Sequence, residues 1–168
     1  MMRLQSLIDN LPQQGSVEWI GIRPVREAPL ESVKQIEVMT DHGLAGDHYS
    51  KVSGKRQVTL IQAEHLDAVA SMLGLDEVRP ETVRRNIVVR GINLLALKNK
   101  TFKVGDTTLV FTDHCHPCSR METVLGSGGY NAMRGHGGIT ARVLEGGLIR
   151  LGDVIVMASS LGTTYESA

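Results

Sequence analysis

The 168 residues suffice for one domain with a single sizeable core and are too few for two. Hydrophobic residues make up 42% and charged residues 21%, the balance of an ordinary globular domain. The 18 basic and 18 acidic residues leave no overall field to draw the chain to nucleic acid or an anionic membrane. No apolar run reaches membrane-spanning length and the first ten residues lack a signal peptide's apolar core, so the cytosol is the expected compartment.

In chain order, a polar lead over residues 1–15 precedes a domain over 16–158. Val17 to Ile22 reads as a strand stopped by Arg23-Pro24. Val33 to Met39 alternates as a second strand, with one slip of phase that predicts a bulge. Asp41 to Tyr49 has Gly43 and Gly46 among polar residues and reads as a loop, with Asp47 and His48 at its exit. A strand over Arg56 to Ile61 leads to the strongest helical pattern, Ala63 to Leu73, in which Leu66, Val69, Ala70 and Leu73 form a core-facing stripe and Gly74 a stop. Pro80 to Arg85 predicts a helical turn entering a strand over Asn86 to Val89.

The second half repeats a figure. Phe102 to Val110 and Ile149 to Val156 each read strand, Gly-Asp, strand, which predicts two type II′ hairpins. With one long helix among many short strands, the fold class is mainly β, a barrel with a few peripheral helices. Gly126 to Gly138, six glycines in thirteen residues, reads as loop, Ile139 to Leu144 as strand, and the tail over 159–168 as disordered.

The chemistry concentrates after the strand Thr107 to Phe111, in His114-Cys115-His116-Pro117-Cys118-Ser119-Arg120-Met121. Pro117 suits the first position of a helix, which places Cys118 in its first turn, near Arg120. The positive end of the helix dipole and Arg120 both favour the thiolate, the form that binds metals and attacks electrophiles. A closed zinc site would need a second ligand pair, which the sequence lacks. A redox reading of Cys115-His116-Pro117-Cys118 would need a βαβ context, which the pattern does not offer. A single reactive thiolate at Cys118 stands against the alternative that both cysteines are small buried hydrophobes. Arg84-Arg85-Asn86 is either solvated surface or a fork for phosphate or carboxylate. Met133 to Gly138 is either a surface loop or a backbone cradle for an anion beside Arg134. The residues alone lead to an anion-binding β domain with one reactive thiolate.

These segments resemble the MOSC domain family, named for the C-terminal part of molybdenum cofactor sulfurases, and within it the small bacterial stand-alone proteins. The likeness lies in Val17 to Gly21 with Arg23-Pro24, Gly43 to His48, Arg56 to Ile61, Arg84 to Val89, Pro117 to Met121, and Met133 through Asp153. It implies a β-barrel and a molybdenum cofactor on a phosphate-bearing pterin, with Cys118 as metal ligand or, in the sulfurase view, persulfide carrier. Arg56, Arg84, Arg85, Asn86, Ser119, Arg120 and Arg134 would then hold phosphate and pterin, with Gly135 and Gly138 as backbone donors. The activity implied is reduction of N-hydroxylated small molecules, with Asp47, His48 or His136 as proton source and electrons from a separate reductase. The alternative is a carrier of cofactor or persulfide sulfur without turnover. A homodimer is compatible with either. Longer bacterial members continue into a helical extension after the barrel, whereas the sequence in hand ends at Ala168.

Overall fold

Apolar residues recurring at every second position of short segments can be buried only if the segments close on one another, and here they close into a barrel. The structure, a computed structural model, describes residues 1–161. The elements are α1 (Leu4–Asp9), β1 (Gly15–Ile22), β2 (Glu31–Ser32), β3 (Gln35–Met39), β4 (Gly43–Leu44), β5 (Val58–Gln62), α2 (Ala63–Leu73), α3 (Pro80–Val83) and β6 (Ile87–Arg90). A 3-10 turn at Leu94–Leu97 follows, then β7 (Lys100–Val104), β8 (Thr107–His114), α4 (Ser119–Leu125), α5 (Gly129–Met133), β9 (Ile139–Glu145), β10 (Gly147–Arg150) and β11 (Val154–Ser160). The strand order β11-β7-β8-β9-β5-β6-β1 returns to β11 through Gly15↔Ile155 and Ser16↔Val154, a closed barrel of seven strands. Closure removes the edges that an open sheet would leave unpaired.

Every residue of β5 is buried, because this strand has cover on both faces. Val58 and Leu60 point into the barrel with Ile87, Val89 and Phe102. Ile61 and Val88 point outward under a helical layer in which Leu66, Val69 and Ala70 of α2 meet Met121 of α4 and Met133 of α5. α2 occupies the predicted residues, and Gly74 closes it in the left-handed conformation, φ 66°. Since β5 and β6 run parallel, with Leu60 opposite Ile87, α2 and α3 form the crossover of a βαβ unit that the pattern did not announce. The two cysteines are not part of that unit: they follow β8, which pairs antiparallel on both sides.

Four expectations change. The phase slip near Val33 is no bulge: β2 pairs with β1, while β3 begins only at Gln35 and joins β4 and β10 in a second sheet. Of the two Gly-Asp figures, Gly105-Asp106 is a two-residue hairpin, Val104 opposite Thr107, with φ positive at Gly105 and not at Asp106, as type II′ requires. Gly152-Asp153 is instead a corner between sheets, because β10 pairs with β3 and β11 with β7. Gly126 to Gly138 is not all loop. It contains α5, whose first turn is tied by the Glu122 carboxylate accepting from Gly128 N–H at 2.8 Å and Tyr130 N–H at 2.9 Å. Finally, Ser159 and Ser160 belong to β11 and pair with Thr101 and Lys100, and the rest of the expected tail, 162–168, lies outside the described residues. Within the lead, α1 stands on the barrel through Asp9, whose carboxylate accepts from Ser160 Oγ at 2.8 Å.

Candidate functional site

The chain reaches a common point from four directions at the end of the barrel where β6 begins. Arg23 follows β1, Tyr49 and Arg56 precede β5, Arg84 to Asn86 precede β6, and Cys115 to Met121 link β8 to α4. Together they enclose a cavity of about 320 Å³ lined by Arg23, Tyr49, Arg56, Thr59, Arg84, Arg85, Asn86, Cys115, Cys118, Arg120 and Met121. That volume lies within the range of small-ligand sites. Five guanidiniums and two thiols line it, and among the described residues no carboxylate or imidazole does.

Arg85 is the cation that shapes the floor. It is buried, and all three of its nitrogens donate to main-chain carbonyls: Nε to Gly137 O at 2.8 Å, Nη1 to Val83 O at 2.7 Å and Nη2 to Cys115 O at 3.3 Å. Burial lowers its pKa; the neighbouring Cys115 sulfur opposes that shift, and Arg56 adds to it. Carbonyl dipoles orient this charge without neutralising it, so it still attracts an anion. Arg84 sits in the left-handed region, φ 61°, a conformation that bulky side chains rarely hold and that clusters at functional sites. Its pKa is also lowered, by burial first and then by the like charges of Arg23 and Arg120. Arg23 carries a buried Nε with no hydrogen-bond partner among the described residues.

Asn86 is structural as much as lining. Its Oδ1 accepts from Thr59 Oγ1 at 2.9 Å and its Nδ2 donates to Gly21 O at 3.1 Å, which joins β5, β6 and β1 under the site.

Cys118 is exposed and Cys115 is buried, both as free thiols. Contrary to expectation, Pro117 is not the first helical residue. The helix begins at Ser119, and Cys118 is its extended N-cap, φ −116° and ψ 174°, with its carbonyl accepting from Met121 N–H at 2.9 Å. The Cys118 side chain makes no capping hydrogen bond, so the sulfur is left to the cavity. Arg56 Nη2 stands 3.7 Å from Cys115 Sγ.

The remaining sequence candidates lie elsewhere. Asp47 does not line the cavity, and its side chain is only 2% exposed. The carboxylate accepts from Arg23 N–H at 2.7 Å and Tyr49 N–H at 3.2 Å, so it positions two residues that do line it. Gln57 holds the same loop, donating to Thr40 O at 2.9 Å and Lys51 O at 3.0 Å. His48 is 3.8 Å from Asp47, too far for a hydrogen bond, and is not among the residues that line the cavity. His136 packs edge-on against His65 with centroids 5.0 Å apart, and its Nδ1 is 3.0 Å from Ala132 O. Ser119 and Arg134 are exposed and line no part of the cavity. Gly135 and Gly138 line a separate cavity of about 260 Å³ with His114, His116 and Pro117, behind Cys115. Gly137 and Gly138 act through close approach: a Cβ at Gly137 would strike the Cys115 carbonyl, and one at Gly138 the Leu60 carbonyl. Thus the structure gathers Cys118, Arg56, Arg84, Arg85, Asn86 and Arg120, and adds Arg23, Tyr49, Thr59, Cys115 and Met121. Asp47 reaches Arg23 across 24 residues of sequence, a contact that no local spacing signals.

A closed seven-stranded barrel carrying an arginine-lined cavity beside a solvent-facing cysteine defines the class of domain. The MOSC domain profile matches residues 42–156, well over half of the chain, and the protein belongs to the MOSC domain family. No curated protein matches it in sequence. Among solved structures it is similar to the YUAD protein from Bacillus subtilis, with TM-score 0.75 and 19% identity over 86% of this chain and 96% of that one. It is also similar to YiiM from Geobacillus stearothermophilus, TM-score 0.69 and 14% identity over 88% and 80% of the two chains. For YiiM from Escherichia coli the values are 0.66 and 15%, over 87% and 73%. At these identities the likeness shows the fold. Among the described residues no helix is long and apolar enough to cross a membrane.

Proposed function

We propose that the protein binds a molybdenum cofactor, with Cys118 as metal ligand, and reduces N-hydroxylated small molecules using electrons from a separate reductase. The observation that carries the reading is the pairing of one exposed thiol with five guanidiniums in a cavity without a carboxylate. The fit to a phosphate-bearing, sulfur-held metal rests on donor chemistry. A soft thiolate suits a metal already ligated by sulfur. Planar guanidiniums suit phosphate, and Arg23 Nε is buried with no hydrogen-bond partner among the described residues. Arg85, Arg84 and Arg23 would hold the anionic group, with Arg56 and Arg120 at its sides.

When bound, the cofactor supplies a redox metal for two-electron removal of oxygen. Converting N–OH to N–H also consumes two protons and releases water, and the protein must allow for those protons. Tyr49 is the one lining side chain, apart from the thiols, with a dissociable proton of suitable kind. Its hydroxyl abuts Gly54, where a Cβ would come within 2.7 Å of Tyr49 Oη. In this reading Tyr49 would relay those protons from solvent, and Asp47 fixes the Tyr49 backbone.

The test is elemental analysis of protein from a molybdate-fed host, with turnover of an N-hydroxylated amidine driven by an artificial electron donor. Wild-type protein is expected to carry molybdenum and turn over, and Cys118→Ser to do neither. Molybdenum retained by Cys118→Ser would overturn the assignment. Metal binding without turnover would favour the carrier reading.

A further inference from the structure

We infer that Cys118 and Cys115 form a peroxide-sensitive dithiol, in which Cys118 is oxidised first and Cys115 resolves it to an intramolecular disulfide. Both residues line one cavity of about 320 Å³ and are separated by only two residues. Their exposures differ in the sense such a pair needs, Cys118 open to solvent and Cys115 at 2%.

The fixed and movable members can be distinguished. Cys115 is anchored three ways: its N–H donates to Gly138 O at 2.8 Å, its carbonyl accepts from Arg85 Nη2 at 3.3 Å, and the bare Cα of Gly137 packs against that carbonyl. Cys118 ends the irregular stretch Cys115 to Cys118, and, unlike the anchored Cys115, its sulfur makes no capping bond. The outer sulfur can therefore swing to an inner one that stays in place. Arg56 Nη2 stands 3.7 Å from Cys115 Sγ, and the guanidiniums of Arg84 and Arg120 offer N–H groups to a departing hydroxide.

In the first step the Cys118 sulfur attacks one oxygen of hydrogen peroxide, the O–O bond breaks, and the hydroxide leaves as water with the thiol proton. In the second, Cys115 attacks the Cys118 sulfur, the S–O bond breaks, and the second hydroxide leaves as water with the Cys115 proton. Two thiols lose two electrons, and one peroxide becomes two waters. A thiol reductant reverses the change. The disulfide stands on the cavity alone; its consequence, loss of the metal ligand, rests on the function proposed above.

Purified protein is treated with hydrogen peroxide, denatured, blocked with N-ethylmaleimide and cut with trypsin. Cleavage after Lys103 and Arg120 leaves both cysteines in one peptide, Val104 to Arg120. That peptide is expected unlabelled and two hydrogens lighter, with two labels restored by dithiothreitol. In Cys115→Ser, or Cys115→Ala should the first fail to fold, Cys118 is expected to gain oxygen and react with dimedone. In Cys118→Ser, Cys115 is expected to remain fully labelled. Wild-type protein that accumulates sulfinic acid at Cys118 beside a labelled Cys115, or that links two chains, overturns the proposal. Molybdenum content is read in parallel. Disulfide formed with molybdenum retained would count against Cys118 as metal ligand and leave the dithiol standing.

Discussion

Two arginine regions lie on β6 and the turn before it, and they handle charge in opposite ways. At the far end of the strand, exposed Arg90 is matched by carboxylates, Nε to Glu18 at 2.7 Å and Nη1 to Asp67 at 3.2 Å, and the hydrogen bond it donates to Glu18 leads in raising its pKa. At the near end Arg84 and Arg85 face the cavity with no carboxylate among its lining, and burial lowers both pKa values. A chain of zero formal charge thus gathers five guanidiniums in one hollow, where Arg120 has the Glu27 carboxylate no nearer than 3.8 Å, and pairs Arg90 closely with two carboxylates on its surface. Local arrangement, which net charge does not report, is what gathers positive charge in one place.

The contrast can be broken most severely at Cys118. Cys118→Ser keeps the cations and removes the soft ligand, so molybdenum and donor-driven turnover should both fall to background in the assays above. Arg85→Met should have the largest effect on stability, because it leaves three buried carbonyls without donors. A loss of about 3 kcal/mol is expected by urea denaturation. Arg85→Lys should recover little of it, since one ammonium cannot serve three separated acceptors.

Arg23→Gln tests the unmatched cations directly. Affinity for inorganic phosphate, measured by calorimetry at low salt, should fall about tenfold, the effect of one charge-assisted hydrogen bond. Arg90→Gln is the counterpart on the matched side. It should leave phosphate affinity unchanged and cost at most about 0.5 kcal/mol of stability, since exposed pairs contribute little. Equal effects of Arg23→Gln and Arg90→Gln on phosphate affinity would erase the distinction between the regions.

The smallest effect concerns pH. Burial, then the neighbouring His136 charge, lowers the His65 pKa below its ordinary 6.5. In the unfolded chain the imidazole takes up its proton near 6.5, whereas in the folded one it resists to lower pH. The stability contribution is therefore present above pH 6.5 and is lost as pH falls through the depressed folded value. Thermal melts of wild type and His65→Gln between pH 7.5 and 5, as measured conditions of about that range, should diverge in slope only on the acid side.

Much of this was open to a reader of the sequence, for reasons that are local. The stripe Leu66, Val69, Ala70 followed by Gly74 specifies α2, because helical periodicity and a left-handed stop are properties of neighbouring residues. Gly105-Asp106 specifies its own hairpin in the same way. Cys118, Arg84, Arg85 and Arg120 could be singled out by residue chemistry, and the structure brings them to one cavity.

What local chemistry could not decide was the outcome of competition among distant segments. Leu151-Gly152-Asp153 has the same Gly-Asp as the true hairpin. It turns a corner because β3 takes up the hydrogen bonds of β10, while β7 and β1 take those of β11. α5 forms inside a glycine-rich run because Glu122, from the helix before it, supplies acceptors to its first turn. Asp47 and His136 carry the chemistry of acids and bases, yet packing turns one to holding Arg23 and Tyr49 in place and the other against His65. The sequence by itself determined which groups were available and which short segments would form. Only closure of the barrel decided which of those groups meet, because the meeting depends on pairings between residues far apart in the chain, each chosen by the burial it allows.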